Sequence, residues 1–195
     1  MASTATPSGA EPTGTLSASG SFTGKVRHYP IASAYGTQIS YGDFVKCVND
    51  GTVDRAAVTT TFPTGLIGVF VGCAYTDPNT NQKTFSQYWP AGTVASDAVA
   101  YVCDDPHLVF KMQADGTMAA TTLFNNAAVI DTAGGTLGRS KSAIDASSAA
   151  TTNTLPIRIV ELIDNPEGND FRDVLCTYLP GSHALLVTTG VRRAK

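Results

Sequence analysis

"GLIGVFVGCAYTDPNTNQKTFSQYWPAG", residues 65–92, is the stretch whose reading decides the fold. It predicts two strands joined by a polar turn, and the first of them is apolar on both faces. Strict alternation sends Ile67, Val69, Val71, Cys73 and Tyr75 to one side, and Leu66, Gly68, Phe70, Gly72 and Ala74 to the other. The second side is then one aromatic knob, Phe70, flanked by glycines that leave room for a close neighbour. A strand in a small protein usually shows one face to water. Something must therefore cover Phe70, first the chain's own second sheet and next a neighbouring subunit.

Working outward, the punctuation is that of short strands. "FVKCVNDGT" ends at Asn49-Asp50-Gly51, and "AVAYVCDDP" runs into Asp104-Asp105-Pro106. "HLVFKMQADG" alternates, with Leu108, Phe110 and Met112 on one face and His107, Val109, Lys111 and Gln113 on the other. "LPIRIVELI", "FRDVLCTYL" and "SHALLVTTG" read as further strands, with the turn "DNPEGND" after the first. Turns recur about every ten residues, the spacing of an antiparallel sandwich or barrel. Only "TMAATTLFNNAA" (117–128) offers a helical turn or two, and "DTAGGTLGRSKSAIDASSAATTNT" (131–154) reads as a long loop. The expected fold is all-β: a single antiparallel β-sandwich or β-barrel at 25–195, preceded by a flexible arm at 1–24. The arm carries one charge, Glu11, and few large apolar side chains, so alone it cannot offset its ordering entropy. It is either disordered or ordered on a partner.

The chain has 195 residues, 43% of them apolar and only 15% charged, where about 25% charged is usual. Length suits one domain with a real core. A net charge of −3 gives no electrostatic reason for nucleic-acid or anionic-membrane binding. The basic end "VRRAK" is too short to change that. No run reaches the ~18 apolar residues of a membrane span. "MASTATPSGAEPTG" lacks the basic and apolar regions of a signal peptide. Cys47, Cys73, Cys103 and Cys176 each sit in a strand-like run without C-x-x-C spacing, which predicts buried, reduced thiols rather than a zinc site.

No cluster announces a reaction. G-x-S-x-G is absent, and "GGTLGRSKS" lacks the spacing and setting of a phosphate loop. "DDPH" (104–107) places two carboxylates beside an imidazole, but a turn opened by Asp and Pro explains it. "DNPEGND" (164–170) lacks the ligand order of a calcium loop. Tyr88 and Trp89 point to opposite faces of a strand, so they do not form one sugar-stacking platform. No catalytic, metal or cofactor residue is assigned. Phe70, Tyr88 and Trp89 are the interface candidates.

Three stretches in order carry a resemblance: "GVFVGCAYTDPNTNQKTFSQYWPAGT" (68–93), "AVAYVCDDPHLVFKMQADG" (98–116) and "GRSKSAIDASSAATTNTLPIRIVELIDNPEGND" (138–170). Together they resemble head decoration or cement-type structural proteins of tailed bacteriophages, especially short-tailed marine ones. The resemblance implies a non-enzymatic virion protein made in the host cytoplasm. It would sit on the capsid exterior against the major capsid protein, as a homo-oligomer without a cofactor. The alternative expectation is a carbohydrate- or cell-surface-binding β module of the fibre or adhesin kind.

Overall fold

The strand that begins at Leu66 runs through the middle layer of a three-layer stack. The protein is described by a computed structural model covering residues 4–16, 24–61, 65–163, 170–179, 181 and 183–185. Its strands, in chain order, are β1 (Glu11–Thr15), β2 (Val26–Pro30), β3 (Ile39–Ser40), β4 (Phe44–Cys47), β5 (Val53–Arg55), β6 (Leu66–Thr76) and β7 (Lys83–Ser86). They continue with β8 (Tyr88–Trp89), β9 (Val99–Cys103), β10 (Leu108–Gln113), β11 (Asn126–Ile130), β12 (Ala143–Ala150), β13 (Ile157–Leu162) and β14 (Asp173–Tyr178). A 3-10 turn, Ala120–Thr122, falls inside the stretch expected to hold helical turns.

The outer six-stranded sheet has the order β1-β10-β14-β13-β11-β12. The central sheet has the order β2-β9-β6-β4-β5, with β7 also paired to β6, and β3 and β8 form a two-stranded ribbon. Every strand pairing within the sheets is antiparallel. Neither six-stranded sheet closes on itself, so the all-β fold is sandwich-like rather than a barrel.

Two apolar cores hold the layers. The first joins Phe110, Met112, Ile157, Ile159 and Cys176 of the outer sheet to Phe44, Leu66, Val69 and Cys103 of the central sheet. The second lies on the far face of the central sheet, where Val45, Ile67, Phe70, Cys73 and Val102 meet Ile39 and Trp89 of the ribbon. A sheet covered on both faces needs strands that are apolar on both faces. That answers what covers Phe70: the chain itself.

The simple alternation along β6 does not hold. Leu66, Val69 and Val71 belong to the first core, while Ile67, Phe70, Cys73 and Tyr75 belong to the second. The side-chain phase inverts twice, at two bulges. One separates the Val45 and Lys46 pairings to β4, and the other separates the Phe70 and Gly72 pairings to β9. Gly68 (φ 156°) and Gly72 (φ 151°) sit at these points, where an extra residue on one strand bends it and re-aims the next side chain.

Three other expectations change. The stretch expected as a flexible arm contributes β1, an edge strand on β10, and Ala10 is fully buried in the first core. Glu11 anchors it through Lys111 (3.3 Å) and Arg139 (3.1 Å). The expected loop at 131–154 contains the eight-residue strand β12, which pairs with β11. In the expected terminal strand "SHALLVTTG", His183, Ala184 and Leu185 are not in a strand, and the rest lies outside the described residues. The "DNPEGND" turn also lies mostly outside them.

Candidate interaction face

The register of the central sheet builds a surface that its side chains alone do not announce. Directly paired residues of antiparallel strands share a face. Pro30 pairs with Val99, Val99 with Ala74, and Ala74 with Phe85, which makes one row across β2, β9, β6 and β7. In the next row His28 pairs with Tyr101 and Tyr101 with Gly72, and Val26 pairs with Cys103 beyond them. The His28 and Tyr101 rings lie 4.7 Å apart, tilted by 56°.

This face is continuous with the first core through Cys103 and Val71. Toward β7 it passes beyond the cover of the outer sheet. Phe85 is 74% exposed, Pro30 and His28 are exposed, and Val99 and Tyr101 are half-buried. At its rim, Lys83 and Asp97 neutralise each other at 2.7 Å, and Thr76 hydrogen-bonds to the same carboxylate. Those bonds hold the Asp97 carboxyl well below the usual carboxylate range, the Lys83 hydrogen bond foremost. The result is an apolar and aromatic ladder with a charge-balanced edge, displayed at Phe85, Pro30 and His28 and buried at Ala74 and Gly72.

Of the three residues expected at an interface, the structure buries two. Phe70 and Trp89 are fully enclosed in the second core and unavailable to a partner. Trp89 donates its indole N–H to the Tyr35 carbonyl (3.3 Å) and meets Tyr75 edge-on, with centroids 5.3 Å apart. Tyr88 is half-buried against the loop at Gly138, where an added Cβ would stand 2.3 Å from its ring. Phe85 and Tyr101 are the residues sequence reading missed. The signal that could have found Phe85 is the "KTFS" strand, because it carries an aromatic amid polar neighbours on an edge.

The buried polar groups hold layers together. Arg55 on β5 donates two hydrogen bonds to Asp131 beyond β11 (3.0 and 2.7 Å) and one to Asp43 (3.1 Å). It thus clamps the central sheet to the outer one. Burial pushes the Asp43 carboxyl up, with the Arg55 charge opposing. In the "DDPH" turn, Asp104 is fully buried, paired with Arg27 (3.2 Å) and accepting from the Tyr29 hydroxyl (2.8 Å). Burial, and then the bond to Asp104, push Tyr29 up to about 12. Asp105 accepts the His107 backbone N–H (2.9 Å), an Asx turn, and His107 itself is exposed.

His183 is fully buried with both ring nitrogens engaged: Nε2–H donates to the Ile67 carbonyl (2.7 Å), and Nδ1 accepts the Leu185 N–H (3.2 Å). Burial lowers its pKa. Cys73, Cys103 and Cys176 are buried thiols, and burial pushes Cys73 up to about 12 and Cys103 up to about 11. Cys47 departs from the expectation and is exposed, at the end of β4 where the chain leaves the sheet for a turn. Among the described residues no three His, Cys, Asp or Glu side chains gather as a metal site. No family model, curated protein or solved structure matches this chain.

Proposed function

We propose that this chain is a non-enzymatic virion structural protein that docks on the outer surface of a tailed-phage capsid and stabilises the shell. One observation carries the reading: the Pro30–Val99–Ala74–Phe85 row, an uncharged sheet face beside a core, which exposes Pro30 and Phe85 at its ends with Val99 half-buried and Ala74 buried between them. Four strands and two or three rows span at most on the order of 300 Å², and the buried Gly72, Ala74 and Cys103 among them reduce what is open to a partner. A stable pairwise interface needs about 800 Å² per partner. A face of this size is too small for a lone tight contact, but it suits many copies on a repeating shell, where weak contacts add through avidity. Its balanced rim calls for a partner surface that is apolar and uncharged, with the aromatic residues as anchors.

The test is co-sedimentation with shells assembled from the cognate major capsid protein. Wild-type protein should pellet with the shells. Phe85→Asp, at a surface site that leaves the fold intact, should reduce occupancy at least about tenfold. Equal occupancy of the two proteins would overturn this docking face, and no wild-type binding would overturn the function. A carbohydrate-binding module is the second reading, favoured by Phe85, Tyr101 and His28 standing on one face. Retention of the wild type, and not of Phe85→Asp, on a polysaccharide resin without shell binding would favour it.

A further inference from the structure

The chain that follows β14 closes over the start of β6. β9 pairs with β6 only from Val69 onward, so Leu66 and Ile67 lie beyond its end. Residues 183–185 take its place there. The Ala184 N–H donates to the Leu66 carbonyl (2.7 Å), and the His183 Nε2–H donates to the Ile67 carbonyl (2.7 Å). Ala184 packs against the margin of the second core, whereas Leu185 is 52% exposed. The Leu185 N–H donates to His183 Nδ1 (3.2 Å), which folds the segment around the ring. Among the described residues these three bonds tie the segment down, and two of them run through one imidazole.

That imidazole makes both bonds only while neutral, because Nδ1 must keep its lone pair for Leu185. A proton at Nδ1 sets a donor against a donor. It also leaves a cation at a fully buried position, where an unpaired charge is costly. The surroundings supply no partner for it. From the β9–β10 turn, the Asp104 and Asp105 carboxylates attract a charge on His183 and His107 repels it, and burial outweighs the attraction. Asp104 gives Oδ2 to Arg27 (3.2 Å) and to the Tyr29 hydroxyl (2.8 Å), and its Oδ1 has no hydrogen-bond partner, the imidazole included. Asp105 accepts the His107 N–H (2.9 Å) and the Thr15 hydroxyl (3.3 Å). From β14 the Tyr178 ring faces His183 at 5.1 Å, tilted by 54°, and burial keeps its hydroxyl neutral. Leu66 and Ile67 of β6 bring only carbonyls and apolar side chains.

We infer that residues 183–185 are an acid-released latch: protonation of His183 detaches them from β6 as a local event, while the three layers stay folded. The layers do not lean on the latch, since their strands pair with one another and their cores are filled from the sheets and the ribbon. Release leaves the Leu66 and Ile67 carbonyls unpaired, a short stretch of open strand edge. Burial sets the closed-state pKa of His183 below the ordinary 6.5. Between those two values the released fraction rises about tenfold for each pH unit of acidification. The latch is independent of the capsid reading and needs no shell to be observed.

Backbone 15N relaxation of the full-length chain, followed from about pH 8 to about pH 4.5, reads the release directly. At the upper limit Ala184 and Leu185 should have order parameters of about 0.85, and at the acid limit values below about 0.6. The loss of order should track the titration of the His183 ring, and β10 and β14 should stay rigid throughout. His183→Gln carries an amide donor and a carbonyl acceptor at every pH in this range, so its Ala184 and Leu185 should show no transition. Ordered Ala184 and Leu185 at the acid limit would overturn the inference. So would loss of order in β14 together with the segment, or a transition in His183→Gln that matches the wild type.

Discussion

Gly68 shows at the scale of one residue how the fold is specified. Its φ of 156° and its contact with β9 both demand the missing side chain: an added Cβ would lie 2.1 Å from the Cys103 carbonyl oxygen. Gly68→Ala should therefore cost about 3 kcal/mol or more, from backbone strain and displacement of β9 together. Gly51 is a fair control, with φ 87° but nothing within 4 Å of the added Cβ, and its Ala variant should lose only about 1 kcal/mol. Urea melts of the two variants check this, and equal losses would mean that the close approach at Cys103 is not limiting. From sequence, Gly68 and Gly72 were legible as places of close approach. They were not legible as phase switches, because a bulge is set by which strands pair alongside and not by the local run.

Among elements, the strands that composition hid are the two edges of the outer sheet, β1 and β12. An edge strand pairs along one side only and needs few large side chains, so "EPTGT" and "AIDASSAA" carry no strong strand signal. The interior strands β9, β10, β13 and β14 did announce themselves, since they must fill a core. β1 is nevertheless fixed by Ala10 in the core, by its pairing to β10, and by Thr13 donating to the Val109 carbonyl (3.2 Å). Deleting residues 1–16 should lower stability by about 3 kcal/mol, on the order of four lost backbone and side-chain hydrogen bonds. It should also expose the edge of β10 to aggregation. An unchanged denaturation midpoint for the truncated protein would show that β1 is not docked in solution. The Phe85 ladder was hidden for a related reason: which residues align across four strands is a matter of register, and register is long-range.

For the whole molecule, the polar ties between layers set the response to acid. His183 must be neutral to accept the Leu185 N–H at Nδ1 while donating to Ile67. Its folded pKa is lowered by burial from the ordinary 6.5. The folded state then binds fewer protons than the unfolded chain once pH drops below the ordinary value, so stability falls as pH falls through that point. Between about pH 7.5 and about pH 5.5 the wild type should lose stability, and His183→Gln should lose less. Denaturant midpoints at the two pH values decide it, and parallel losses would place the effect elsewhere.

The switching of β6 between cores has a further consequence. Two separate apolar cores would ordinarily allow two units that open independently, each with its own free energy. Here one strand supplies side chains alternately to both, with its two bulges locked against β4 and β9. Pulling β6 out of either core unzips the other. The amides of β6 should exchange with solvent only through global unfolding, and the three layers should melt as one cooperative body.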